Sequence, residues 1–405
     1  MANASTDWYR DQVVLLTGGT GNLGACLLYK LALQLPTRKI FVLARGSVRR
    51  AVGKLEASIP DHVDDILDTS RVHFVVGETT QPGLGLKPTD LQRLQDEVTV
   101  AINAAADISL QQPLAGSVRV NCVAHLNFVT LLRSFTRLAA FLHVSSTSVN
   151  SFLPSGKVEE RIYPLSENEP DPKEILSTIQ TTGQSSWGDR FIAPYSLSKY
   201  LAERLILHQA DDLPFSVLIV RPAVIAPAIR HPYPLYGSSE GLPLHSTLQV
   251  LVTSPDYGLA RLAEEIDPET VVDEVPVDLV ASTCLGHLSA RTTGVVHASG
   301  LLYAPLTVGD LATALIQHTP PSVADKVLGG HLPAEDLAPH FFHLATQYAG
   351  KWENSCLRSE PLKSVCGPLG LSLHGHDSEA FMNLRWKTMT KVSDQIDKIP
   401  IPPGS

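Results

Sequence analysis

Cysteine, positive charge and long apolar runs are all scarce in this chain. Its five cysteines (Cys26, Cys122, Cys284, Cys356 and Cys366) are scattered and odd in number. They have no metal-ligand spacing, so neither a disulfide framework nor a bound metal is expected. Lys and Arg total 32 against 41 Asp and Glu, a net charge of -9, which argues against a binder of the nucleic-acid phosphate backbone. The one basic group, Arg45, Arg49 and Arg50, is local. No window approaches the roughly 18 apolar residues of a spanning helix. The N-terminus, MANASTDWYRDQ, lacks the basic and apolar regions of a secretory signal. A protein of the reducing cytoplasm, without an integral membrane segment, is the expectation.

What is present is a globular composition, with 44% hydrophobic and 18% charged residues over 405 positions. Short β-branched runs alternate with helical patterns: QVVLLT (12–17), KIFVLA (39–44), RVHFVV (71–76), VTVAIN (98–103), AAFLHVS (139–145) and FSVLIVR (215–221). These runs are apolar throughout, as parallel strands covered on both faces must be. The prediction is an α/β fold, a doubly wound parallel sheet of Rossmann type. Residues 151–190, rich in Pro, Ser, Gly and Glu, read as an irregular loop beside the active site. After Arg221 the prolines at 222, 227, 232, 234 and 243 exclude a long helix and mark a smaller substrate-side region. Residues 275–290 then read as a helix and 294–300 as a returning strand, with helical spacing from about 305 onward. The division expected is residues 1–225 with a returning segment at about 271–300 for the dinucleotide domain. Residues 226–270 and 301–405 would form a mainly helical substrate-binding region.

The strongest local signal is Thr17-Gly18-Gly19-Thr20-Gly21-Asn22-Leu23-Gly24, between an apolar strand and a helical segment. Gly18, Gly21 and Gly24 suit a tight strand-to-helix turn whose exposed helix N-terminus accepts a pyrophosphate. At the end of the second strand stands Arg45 in place of a carboxylate, which favours the 2′-phosphate of NADP(H) over the ribose hydroxyl of NAD(H). Glu78 and Thr79 follow the third strand, towards the adenine. Asn103, Ala104 and Ala105 end the fourth, where small residues would let a cofactor approach the backbone.

Tyr195-Ser196-Leu197-Ser198-Lys199 opens an amphipathic helix, and residues four apart share a helix face. A neighbouring ammonium favours phenolate and so makes the tyrosine a better proton donor near neutral pH. A third group should polarise the substrate carbonyl. The strand end at 142–150 offers Ser146 as first choice, with Ser145 and Thr147 still open because a one-residue shift changes which side chain faces the site.

These residues together resemble the extended short-chain dehydrogenase/reductases, and more narrowly the fatty acyl-CoA reductase and thioester reductase group of male sterility-type NAD-binding proteins. The resemblance covers roughly residues 11–300 through TGGTGNLGACLLYKL, KIFVLAR, INAAADISLQQPLAGSVRVN, FLHVSSTSVNSFLPSGKVEERIYPL, YSLSKYLAERL, VLIVRPAVIAP and EVPVDLVAS. It implies Tyr195 as acid, Lys199 as its activator and ribose contact, and Ser146 as the hydroxyl partner. It also implies Asn121 as a structural or cofactor-side residue, with Arg221, Pro222 and Val224 on a loop meeting the nicotinamide end. The activity implied is hydride transfer from NADPH to an acyl thioester, brought by CoA or by a carrier protein, giving an aldehyde or an alcohol. A reductase of small ketones or alcohols in secondary metabolism is the alternative. A non-catalytic sensor on the same fold would need the glycine turn but not Ser146, Tyr195 and Lys199.

Overall fold

The computed structural model describes residues 5–109, 112–168, 170–237, 265–303, 305–310 and 350–373, with isolated positions at 313 and between 379 and 394. The predicted helices beyond 310 therefore lie almost wholly outside the described residues. The strands in chain order are β1 (Val13–Thr17), β2 (Lys39–Ala44), β3 (Val72–Val76), β4 (Val100–Asn103), β5 (Ala140–Val144) and β6 (Gly156–Val158). They continue as β7 (Ser216–Pro222), β8 (Val224–Ala226), β9 (Glu274–Pro276), β10 (Gly294–Ala298) and β11 (Trp352–Asn354). Seven of them form one sheet in the order β10-β7-β5-β4-β1-β2-β3, and every pairing in it is parallel.

The apolar runs make this sheet because both of its faces are covered. Alternate residues Val14, Leu16, Ile40, Ile102 and Leu142 face one core with helices α1 (Asn22–Tyr29) and Val277–Ser289. Leu15, Phe41, Ala101, Phe141 and Ile219 face the other, against Phe128 and Leu132 of Ala124–Leu132. Numbered in chain order, the remaining helices among the described residues are α2 (Val48–Ser58), α3 (Val63–Asp68), α4 (Pro88–Glu97), α5 (Leu114–Val118), α6 (Ala124–Leu132), α7 (Pro172–Thr182), α8 (Pro194–His208) and α9 (Val277–Ser289). Chain order reverses between β1 and β4, and a crevice at the carboxyl ends of the strands is where such sheets bind ligands.

The stretch 151–190 departs from the sequence expectation of an irregular loop. It contains β6, which pairs in parallel with β11, and the eleven-residue α7. Pro172 at the first turn, Asp171 accepting the Lys173 N–H at 2.8 Å, and Gly183 closing the helix at φ +76 supply both of its ends. Buried Ile175 and Ile179 then dock it on Leu197, Tyr200 and Leu201 of α8. Each such side chain contributes about 2 kcal/mol of apolar burial. The insertion is thus partly a buttress for the helix that carries Tyr195 and Lys199.

Candidate active site

The glycine turn is built by exclusion of side chains. Gly18 has φ +70, and a Cβ there would stand 2.6 Å from the backbone of Ala104 and Ala105 at the end of β4. A Cβ on Gly24 would stand 1.9 Å from the Gly18 carbonyl oxygen. The first helical bond, Ala25 N to Gly21 O at 2.8 Å, leaves the N–H groups of Asn22, Leu23 and Gly24 directed out of the helix end. A Cβ on Gly21, by contrast, would touch nothing nearer than Gly18 O at 3.3 Å, and Gly21 itself is exposed. The turn therefore presents an open backbone cradle with the positive end of a helix dipole behind it, which suits a pyrophosphate.

Beyond the turn, Thr17, Asn103 and His143 stand side by side on β1, β4 and β5 in register. All three are fully buried. Thr17 Oγ1 donates to Asn103 Oδ1 at 2.6 Å, and the Asn103 amide nitrogen reaches His143 Nδ1 at 3.2 Å. The side chains of Thr17 and Asn103, two candidate cofactor residues, are thus engaged with each other across the sheet. Burial, with the charge of Lys199 and the neighbouring His125, holds the His143 pKa well below its ordinary value, so this ladder is neutral. Ala104 and Ala105 just beyond it are half-buried.

The Lys199 side chain reaches the end of β5, the strand that Ser146 follows. Lys199 is buried, and its Nζ donates to the Val144 carbonyl at 2.9 Å, two residues before Ser146. Burial lowers its pKa from 10.5 to about 8, a shift that the Glu203 carboxylate one helical turn on opposes. Ser146 caps a short 3-10 helix, accepting from Ser148 N at 3.2 Å, and is half-buried, whereas Ser145 and Thr147 are buried. Of the three hydroxyl candidates Ser146 is therefore the accessible one. Tyr195, one helical turn before Lys199, is half-buried on the same helix face.

Asn121 pins the loop after β4: its Oδ1 accepts from Asp107 N at 2.9 Å and its Nδ2 donates to Asp107 O at 2.8 Å. Its amide also lies 3.4 Å from the Ser198 hydroxyl of α8, which joins the loop after β4 to the helix that carries Tyr195 and Lys199. Arg221 behaves differently from a loop residue facing a nicotinamide. It lies in β7, only 1% exposed, with its guanidinium bidentate on Glu203 at 2.9 and 2.5 Å and a further bond to Arg161 O at 2.9 Å. Pro222 is buried beside it and Val224 half-buried in β8. Sequence reading missed Glu203, although its place four residues after Lys199 was the available signal. Arg45 stands exposed at the end of β2, and Glu78 and Thr79 half-buried at the end of β3. Among the described residues no group of three or more His, Cys, Asp or Glu could hold a metal ion, and no helix is long and apolar enough to cross a membrane.

A family model described as male sterility protein, an NAD-binding family, matches residues 16–284. The chain belongs to this family. Its nucleotide is accordingly a nicotinamide dinucleotide, and the matched span runs from the glycine turn through α8 into α9. Fatty acyl-CoA reductase 1 of Xenopus laevis is 26% identical over 320 residues, covering 75% of this chain and 59% of that protein. The Homo sapiens protein of the same name is 25% identical over 322 residues, with the same coverage. The chain spans little more than half the length of these curated relatives. Among solved structures, the terminal R domain from the myxalamid PKS-NRPS biosynthetic pathway superposes with a TM-score of 0.63 at 20% identity, covering 94% of this chain and 90% of that one. The reductase domain of a non-ribosomal peptide synthetase from Mycobacterium tuberculosis gives 0.61 at 18% identity, covering 94% and 92%. These likenesses establish the extended reductase fold expected from the sequence.

Proposed function

We propose that the chain is an NADPH-dependent reductase that delivers hydride to the carbonyl of an acyl thioester, bound to CoA or a carrier protein, or of the derived aldehyde. Hydride and a proton convert the thioester to a hemithioacetal that collapses to the aldehyde and the free thiol of CoA or the carrier, and a second hydride and proton give the alcohol. What supports this reading is the Lys199 side chain bound at the end of β5, just before Ser146 in the chain and one helical turn after Tyr195, in a family whose named relatives are fatty acyl-CoA reductases.

Gly18, Gly21 and Gly24 with the N–H groups of Asn22 and Leu23 would hold the pyrophosphate, and the half-buried Glu78 and Thr79 would flank the adenosine. Exposed Arg45, with Arg49 and Arg50 on the first turn of α2, suits a 2′-phosphate. The bound dinucleotide supplies the hydride. Ser146 and Tyr195 donate hydrogen bonds to the substrate carbonyl oxygen and stabilise the negative charge that develops there. Tyr195 is the proton source, and the Lys199 ammonium, fixed by Val144, favours its phenolate. Asn121 acts through the loop 104–109 and α8 rather than on substrate. In the division we propose, residues 1–225 and about 271–300 bind the dinucleotide, while 226–270 and 301–405 shape the substrate side.

The decisive experiment follows the loss of NADPH absorbance on a panel of acyl-CoA thioesters, carrier-bound thioesters and matching aldehydes, with products identified by mass and Tyr195→Phe as control. Thioester turnover that disappears in the variant is expected. Turnover of aldehydes or free ketones alone would overturn the substrate assignment while leaving the hydride chemistry in place.

A further inference from the structure

Residues 226–237, APAIRHPYPLYG, carry too many prolines for a helix and fold back on themselves instead. Ala228 N donates to Tyr236 O and Leu235 N donates to Ala228 O, each at 2.9 Å. Asp278, at the start of α9, receives the tip by accepting the N–H groups of Ile229, Arg230 and His231 at 3.1, 2.9 and 3.2 Å. The strap then lies along α1. His231 stacks on Tyr29 at the far end of that helix, with ring centroids 5.8 Å apart, and Tyr233 donates to the Ser58 carbonyl at 2.9 Å. At the near end the Tyr236 hydroxyl, on a side chain only 2% exposed, donates to the carbonyl of Asn22 at 2.8 Å.

Asn22 is the first residue of α1, directly after the glycine turn, and the strap touches it twice. Gly237, at φ +82, packs against its carboxamide so closely that a Cβ would stand 2.5 Å from Asn22 Oδ1. That oxygen is buried and has no hydrogen-bond partner among the described residues, and the close approach of Gly237 confines it. The segment following β8 on the substrate side thus fixes both the backbone and the side chain of the residue whose N–H opens the phosphate turn.

We propose that Tyr236 and Gly237 are positioning residues for the dinucleotide pyrophosphate, acting through Asn22, and that cofactor affinity is set in part by this strap. The inference rests on the assignment of the glycine turn to a nicotinamide dinucleotide. Tyr233 supplies the internal control. It lies three residues away, packs its ring on Tyr236 with centroids 5.5 Å apart, and makes an equivalent hydrogen bond to α2, away from the turn.

The test is calorimetric titration of the full chain with NADP+ and, separately, with adenosine 2′-monophosphate, which lacks the pyrophosphate. Tyr236→Phe removes one buried hydrogen bond, so NADP+ should bind about three- to tenfold more weakly while affinity for the monophosphate is unchanged. Tyr233→Phe should change neither, although both variants lower the melting temperature. Gly237→Ala should weaken NADP+ further, because a methyl both strains the backbone and displaces Asn22; if it does not fold, the tyrosine pair still decides. Equal weakening in both tyrosine variants, or unchanged NADP+ affinity in Tyr236→Phe, would overturn the proposal. A wild-type chain that binds neither NADP+ nor NAD+ would instead overturn the cofactor assignment beneath it, and does so without any variant.

Discussion

The two flanks of the β1–β4 switch point are made from opposite materials. On the β1 side the site exists because side chains are missing: Gly18 and Gly24 let the turn press against β4 and against itself. On the β5 and β7 side it exists because polar side chains are buried: Lys199 on the Val144 carbonyl, Glu203 on Arg221, and Arg221 on the Arg161 carbonyl. The first is a steric device that leaves backbone amides free at the helix end. The second is an electrostatic device, where removing one partner leaves a charge in a medium that solvates it poorly. An added methyl should therefore break one flank, and a deleted charge or hydroxyl the other.

The largest effect belongs to the electrostatic flank. Tyr195→Phe keeps the ring and removes the proton, so kcat for reduction should fall on the order of 10³-fold, within the span usual for a lost general acid. Cofactor titration of the same variant should give near-normal binding. A variant retaining more than a tenth of kcat would mean that the proton comes from elsewhere.

Next is the Glu203–Arg221 pair. Glu203→Gln leaves a guanidinium that is 1% exposed without its counter-charge, a loss of about 3–5 kcal/mol by analogy with other broken buried pairs. Chemical denaturation measures it. The same variant has a kinetic signature, because Glu203 raises the Lys199 pKa against the burial that lowers it to about 8. In the wild type, reductive turnover should fall as pH rises through about 8 and the ammonium is lost. In the variant that descending limb should move to lower pH. The stability effect runs in the opposite direction. Between about 8 and 10.5 the unfolded chain holds a proton on Lys199 that the folded one has lost, so this group makes folding more favourable as pH rises there. A limb that does not move in Glu203→Gln would show that Lys199 is not the group being titrated.

How much of this was legible in the sequence follows the same divide. The steric flank was readable because its requirement is local: glycines at fixed spacing between an apolar strand and a helix. The placement of Tyr195 and Lys199 one turn apart on a single helix was readable for a similar reason, since four residues make one helix turn. The pairing of Arg221 with Glu203 was not, because the two lie eighteen residues apart on a strand and a helix and only the packed fold joins them. The same holds for Asp278 accepting from 229–231, and for Thr17 and Asn103, whose buried bond occupies two side chains that a strand-end position alone assigns to the cofactor. The helix α7 is a different case. Asp171-Pro172 and Gly183 are ordinary helix boundaries, masked by the loop-forming residues before and after them.

On the steric flank, Gly24→Ala places a methyl carbon 1.9 Å from the Gly18 carbonyl oxygen, and neither backbone segment can yield without opening the turn. The expected cost is about 3 kcal/mol of stability, the upper end for overpacking, together with loss of dinucleotide binding. Calorimetry reads both. If the variant binds cofactor normally, the turn is more pliable than the contact implies, and the contrast between the flanks weakens.

The smallest effect should come from Arg45, where the steric flank carries its own charge. Arg45 is exposed, so its replacement leaves nothing buried unpaired and the fold should not register it. What changes is the discrimination between two cofactors that differ by one phosphate. Arg45→Ala should lower the preference for NADPH over NADH by about tenfold, in keeping with a single partly solvated charge-assisted contact, and mainly through the NADPH KM. Arg49 and Arg50, also exposed on the first turn of α2, can keep part of the preference, so the triple replacement should remove most of what remains. An Arg45→Ala enzyme with an unaltered cofactor ratio would move the 2′-phosphate away from the end of β2. Electrostatics would then belong to the β5 and β7 flank alone.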